Sequence, residues 1–351
     1  MNISIETYRD KLRAAILGRF AGCVLGCPVE GWSIENIKKY ALESGIGFPP
    51  EDFWPKVPEP DLPRYIKFTF KDYTKPCFDG FPGDDDIAYT LLSLLIAEEG
   101  NGKSFTLQDV ADAWLKYITL AWTAEDIALK NLQKGVSPEE AAIIDNPYQE
   151  WIGADIRCDG YGYMAPGDPK KAAEMAKTDA LISHRANGLY GSMYFAAVIA
   201  LAFECETVWE ALEKGLEYIP ADCSLAEGIR WAMNIAPTVK DAEHANELVT
   251  KRYPGMHTVH TINNACLTVF ALYLGGKDIC KVFATDVSMA YDCDCTAATA
   301  GSIAGACYGM KALDKKWYEC FGDKIGSYFN GPEYYSLEDI LARYEKLALS
   351  E

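Results

Sequence analysis

Apolar residues recur along most of this chain at three- and four-residue intervals, the period of a helix with one buried face. Residues 7–26 carry that pattern with Gly18, Gly22 and Gly26 on one stripe. Small side chains four residues apart let a second helix approach until the backbones touch. The same period predicts helices over 86–99, 107–121, 138–145, 169–182, 188–204, 207–217 and 224–234. It continues over 241–251, 262–274, 277–290, 296–312 and 336–348. Pro138 and Pro169 stand just inside two of these starts, where a backbone N–H has no partner to lose. Ser336 is placed to cap the last helix together with Glu338 or Asp339. Strand-like alternation is nearly absent, and residues 65–70 are its best candidate. The fold class expected is therefore all-α. No linker or compositional shift divides the chain, so one domain over 1–351 is expected.

One stretch breaks the helical period. Residues 46–83 hold Pro49, Pro50, Pro55, Pro58, Pro60, Pro63, Pro76 and Pro82 among many aromatics. So many fixed φ angles and absent donors forbid a long helix. A loop of this length is either a lid or binding loop, or a surface excursion without consequence. The sequence leaves both readings open.

Candidate chemistry begins where that loop ends. Gly83-Asp84-Asp85-Asp86 precedes the apolar helix that starts at Ile87, and Asp292-Cys293-Asp294-Cys295 precedes another at Thr296. Adjacent carboxylates repel, and a helix N-terminus stabilises one acidic residue by only about 0.3–1 kcal/mol. Capping accounts for one or two aspartates, not for five that converge. A divalent cation accounts for all of them, because hard Mg²⁺ or Mn²⁺ selects carboxylate and water oxygens. Convergence has a means: Ala297, Gly301, Gly305 and Gly309 form a second stripe of small residues, complementary to the first. Glu30 would then emerge just past the end of the first helix.

Charge and cysteine usage narrow the picture. The net charge of −18 repels a phosphate backbone, so nucleic acid is not an expected partner. No segment reads as about 20 uncharged apolar residues, so no membrane span is expected. The N-terminus lacks a basic region followed by an apolar stretch. Several of the twelve cysteines, among them Cys23, Cys205, Cys266 and Cys307, lie in Ala/Gly-rich helical runs, where a reduced thiol packs as a small apolar group. A reducing, cytoplasmic compartment is expected. Cys23-x-x-x-Cys27 and Cys293-x-Cys295 fit structural zinc spacings poorly. His184, His257 and His260 carry no motif that would distinguish a ligand from a structural histidine.

Together these landmarks resemble one family. Asp84-Asp85-Asp86-Ile87-Ala88-Tyr89-Thr90 is similar to the Thr-Asp-Asp segment of ADP-ribosylglycohydrolases, and 292–309 to their late Asp-x-Asp-Thr motif and Gly/Ala-rich helix. Residues 21–30 resemble the family's first helix and glutamate, 153–157 its Gly-Asn-Gly-x-x-Met-Arg segment, and 179–184 the stretch that usually shows Thr-His. The landmarks occur in family order over nearly the whole chain. The resemblance implies a compact orthogonal bundle around two Mg²⁺ ions (Mn²⁺ as the alternative), held by Asp84, Asp85, Asp86, Asp292 and Asp294. It implies Glu30 and Asp85 as catalytic carboxylates, and Gly153, Asp155, Arg157, Asp159, His184 and Asn263 along a substrate groove. The substrate implied is an ADP-ribosylated protein or small ADP-ribose conjugate, cut at the anomeric carbon by a monomer or homodimer. The alternatives are a glycosidase of another N- or O-riboside and a non-catalytic binding or crystallin-like relative. Three positions depart from the family pattern: Asp84 replaces a threonine, Cys295 replaces the late threonine, and Cys23 stands where aspartate is common.

Overall fold

The computed structural model describes residues 1–57 and 62–350. Its architecture is all-α. The first part holds α1 (Ile5–Gly26), α2 (Ile34–Glu43), α3 (Asp85–Glu99), α4 (Leu107–Tyr117), α5 (Thr123–Gln133) and the short α6 (Pro138–Ala141). Then come α7 (Asp159–Met164), α8 (Pro169–Ala180), α9 (Ala186–Ala202), α10 (Val208–Gly215) and α11 (Ser224–Ile235). The chain closes with α12 (Ala242–Arg252), α13 (Thr261–Gly275), α14 (Ile279–Val287), α15 (Cys293–Tyr308) and α16 (Leu337–Leu349). One continuous apolar core runs from Tyr8 to Leu347.

The axis of the molecule is the pair α1 and α15. Ser4 caps α1 by accepting from the Thr7 N–H at 3.2 Å. Every α1 residue from Ala14 to Gly26 is buried, including Arg19. The predicted small-residue stripes meet: a Cβ on Gly18 would lie 2.7 Å from the Gly301 carbonyl oxygen, and one on Gly22 only 2.4 Å from that of Ala297. A Cβ on Gly26 would collide with the Asp294 backbone. As the α1 numbers rise the α15 numbers fall, so the helices run antiparallel. The end of α1 is thereby fixed against the start of α15. By length and composition Ile5–Val29 could cross a membrane, contrary to the sequence expectation, yet 94% of that window is buried inside the protein.

The described parts of the Pro-rich loop form an integral layer rather than a surface excursion, while Pro58 and Pro60 lie outside the described residues. Phe53, Trp54, Tyr65, Phe68, Tyr73 and Phe81 are all buried. The Trp54 indole donates to the Leu25 carbonyl at 2.6 Å and its ring stacks on Tyr40. The predicted strand at 65–70 is a small antiparallel hairpin, β1 (Pro63–Tyr65) with β2 (Phe68–Thr69). A second hairpin pairs β3 (Lys324–Gly326) with β4 (Tyr334–Ser336). Phe81 exchanges backbone hydrogen bonds with this second hairpin, donating to Lys324 and accepting from Gly326. That anchor fixes the approach of the chain to Asp84.

Some boundaries differ from the sequence reading. The expected helix over 296–312 begins at Cys293, with Asp292 at its cap position. Helix 138–145 is a single turn, and α2, α5 and α7 carried no period strong enough to be predicted. Ser336 caps α16 as expected, accepting from the Asp339 N–H.

Candidate active site and metal centre

Three helix ends meet at one point: the C-terminal end of α1 and the N-terminal ends of α3 and α15. Helix N-termini carry partial positive charge and favour carboxylates. Asp84 caps α3, with Asp85 and Asp86 in its first turn. Asp292 and Asp294 occupy the same places on α15. Carboxylate oxygens of Asp84, Asp86 and Asp294 lie within 4.8 Å of one another, and so do ligand atoms of Asp292, Asp294 and Cys295. The two acidic runs, from opposite ends of the chain, form one cluster.

This cluster is the floor of a cavity of about 400 Å³ lined by Glu30, Arg64, Asp85, Glu125, Asp292 and Asp294, among others. Tyr65, Tyr89 and Trp122 supply flat aromatic walls. The volume lies within the range of small-molecule sites. Among the described residues, five acidic side chains and one arginine face this space, so it suits a cation or a polar, uncharged ligand better than a naked anion.

Arg64 was not anticipated from the sequence. It projects from β1, in the Pro-rich loop, into the cluster. Its Nη1 pairs with Glu30 at 2.8 Å, its Nε with Asp84 at 2.9 Å and its Nη2 with Asp294 at 2.6 Å. The rings of Tyr65, Phe70 and Tyr73 surround the guanidinium. A lone arginine in a loop has no periodic signal. The only available hint was that so many carboxylates demand a cation.

Arg64 does not satisfy the whole cluster. Asp86 Oδ2, Asp292 Oδ1 and Asp294 Oδ1 are buried without any hydrogen-bond partner. Burial and the neighbouring Asp84 and Asp86 charges push the Asp85 carboxyl well up. Burial raises Asp86 despite Arg19, and burial with the Glu30 charge raises Asp294. Asp292 is pushed up to about 7 by burial and by Glu30. Burial also acts on Asp84, but the Arg64 guanidinium overrides it and holds that carboxyl below its usual range. Unpaired oxygens and raised carboxyls mark a deficit of positive charge. A divalent cation fits it, since such sites take carboxylate oxygens.

The predicted groove residues divide sharply. Gly153 lines the cavity. Asp155, Arg157, Asp159, His184 and Asn263 do not; each is buried behind the wall with protein partners. Arg157 pairs with Glu125 at 2.6 Å and Asp179 at 2.9 Å, and also donates to Ser183. Asp159 pairs with Arg19, which also holds Asp86. Asp155 accepts from Thr261, His184 Nδ1 contacts Ser183, and Asn263 donates to the His257 carbonyl. These residues shape the wall from behind. Asp85 and Glu30, by contrast, stand on the cavity surface.

The cysteines do not form a four-thiol site. Cys293 points at the Gly26 carbonyl and Cys295 groups with Asp292 and Asp294. Cys23 and Cys27 lie side by side against Asp84. All twelve cysteines are free thiols.

Comparison with known proteins bears on the family and the fold. The family model described as ADP-ribosylglycohydrolase matches residues 4–348. An uncharacterized protein of Archaeoglobus fulgidus is 28% identical over 326 residues, 90% of this chain and 92% of that one. A solved structure titled ADP-ribosylglycohydrolase-related protein complex aligns with a TM-score of 0.63 over 98% of this chain and 99% of that one, at 19% identity. The last similarity bears on the fold alone.

Proposed function

Because the chain belongs to the ADP-ribosylglycohydrolase family, we propose that it is a metal-assisted hydrolase that cleaves an ADP-ribosyl conjugate at the anomeric carbon. The observation that carries this reading is the convergence of Asp84, Asp86, Asp292 and Asp294, with buried oxygens left unpaired, on the floor of a ligand-sized cavity.

Asp86, Asp292 and Asp294 would hold a Mg²⁺ or Mn²⁺ ion, with a second ion beside Asp84. Bound there, the metals supply Lewis-acid polarisation and a template for ribose hydroxyls and water. The protein's own groups do the rest. Glu30, half exposed at the rim, is placed to give a proton to the leaving group. Asp85, on the cavity floor, is placed to take one from the attacking water. Gly153 keeps the wall open: a Cβ there would strike the Glu125 carboxylate. Tyr65, Tyr89 and Trp122 offer faces for a base or ribose and exclude water.

The test is release of free ADP-ribose from an ADP-ribosylated arginine or serine peptide, with and without Mg²⁺. Release that depends on the metal and disappears in Glu30→Gln supports the reading. No release from any linkage by a metal-loaded protein ends it.

The electrostatics favour one second reading, a riboside without the diphosphate. No lysine lines the cavity and Arg64 is already engaged by three carboxylates. Turnover of neutral N- or O-ribosides with none of ADP-ribose conjugates would select it.

A further inference from the structure

Cys23 and Cys27 stand one helical turn apart at the end of α1, on the face that meets Asp84. Residues at i and i+4 on one helix face are a recurring way to present two ligands to one ion. The Cys23 and Cys27 sulfurs are 3.6 Å apart. Cys23 Sγ lies 3.3 Å from Asp84 Oδ1, and Cys27 Sγ lies 3.2 Å from Asp84 Oδ2 and 3.6 Å from Asp294 Oδ2. A tetrahedral ion with Zn–S of about 2.3 Å and Zn–O of about 2.0 Å spaces two sulfurs by about 3.8 Å and sulfur from oxygen by about 3.5 Å. Cys23, Cys27 and Asp84 already lie near those separations, and Asp294 reaches Cys27 at the same range.

Two further observations point to an ion here. Asp294 is buried and its Oδ1 has no partner, so this carboxylate has an oxygen free for a neighbouring position while Oδ2 faces Cys27. The positive charge now beside these groups is the Arg64 guanidinium, which reaches Asp84 and Asp294 from the loop. A delocalised guanidinium meets carboxylates but gives nothing specific to two thiols, which soft or borderline metals select.

We propose that Cys23, Cys27, Asp84 and Asp294 form a mixed thiolate–carboxylate position for a zinc-class divalent ion, adjoining the all-oxygen position of Asp86 and Asp292. This rests on the reading that the cavity floor holds metal. The floor then carries two chemically different ions, with Asp294 shared between them. On coordination each thiol loses its S–H proton to the buffer as the metal–sulfur bond forms, and the ion displaces Arg64 from both Asp84 and Asp294.

X-ray absorption at the zinc edge, on the full-length protein loaded with Zn²⁺ alone, tests this directly. The expected result is sulfur scattering at about 2.3 Å, retained in excess Mg²⁺. Cobalt loading should give a thiolate-to-metal charge-transfer band that is lost in Cys23→Ser and Cys27→Ser. Scattering from oxygen and nitrogen alone overturns the proposal. The wild-type spectrum decides even if a serine variant does not fold. The outcomes separate from those of the catalytic reading: metal-dependent ADP-ribose release without sulfur scattering keeps the function and removes the thiol position, whereas sulfur scattering without release does the reverse.

Discussion

Arg157 and Asp294 are both buried charges near the same cavity, and they are satisfied in opposite ways. Arg157 is held from four directions by Glu125, Asp179, Ser183 and the Gly153 carbonyl. Its guanidinium also lies over the Trp114 ring. Around Asp294 the carboxylates outnumber the cations, oxygens are left unpaired, and the arginine present comes from a loop. The Arg157 guanidinium is fully engaged by protein groups and serves the fold, although Asp179 Oδ1 beside it is also unpaired. The second arrangement is incomplete and calls for a ligand. Burial alone therefore does not mark function; an unbalanced burial does.

The comparison can be broken most forcefully at Arg157. Arg157→Met strands Glu125 and Asp179 inside the protein, and removing one partner of a buried ion pair costs about 3–5 kcal/mol. Urea unfolding should show a loss of that size, while zinc or manganese binding by the folded fraction persists.

Asp292→Asn should behave in the reverse way. Without metal, the variant is as stable as the wild type or more so, since it removes a carboxyl that burial and Glu30 already push up to about 7. Turnover should fall by two orders of magnitude or more, the equivalent of several kcal/mol of metal-supplied stabilisation. A variant that unfolds but keeps its specific activity would reverse the assignment of the two clusters.

How much of this contrast is legible in sequence follows from where each signal lives. The helix period and the glycine stripes are local, and they led to α1, α15 and their close contact. The aspartate runs are local too, so the metal-ligand candidates could be named. Arg64 and Arg157 are read correctly only from tertiary partners. Arg64 sits in a proline-rich stretch with no period, and Glu125 and Asp179, which occupy Arg157, are joined to it by no local pattern. The groove expected around 153–159 therefore reduces to Gly153, with the charged residues turned inward. The helix α15 also starts earlier than expected, at Cys293, with Asp292 at the cap position and Asp294 in the first turn.

Gly22 sharpens the link between packing and site. Gly22→Ala places a Cβ 2.4 Å from the Ala297 carbonyl oxygen. Overpacking of this kind costs about 1–3 kcal/mol. Thermal unfolding measures it, and metal affinity should weaken in parallel because α1 and α15 must separate just where Asp294 sits.

A further effect concerns pH. Asp286, buried on α14 with a Thr296 hydroxyl on one oxygen, is raised to about 8 by burial. Its folded value lies above the unfolded one, so its contribution is fully present below about pH 4 and is lost as pH rises toward 8. The metal-free protein should lose stability across that window, by at most about 1.4 kcal/mol per pH unit from this group. Asp286→Asn should flatten the slope in unfolding curves at pH 6, 7 and 8.

The central claim is that carboxylates from α3 and α15 share a cation. A crystal soaked in Mn²⁺ and measured for anomalous scattering tests it most directly. The account predicts a strong peak between Asp86, Asp292 and Asp294. Saturating manganese with no peak between those three side chains would contradict it.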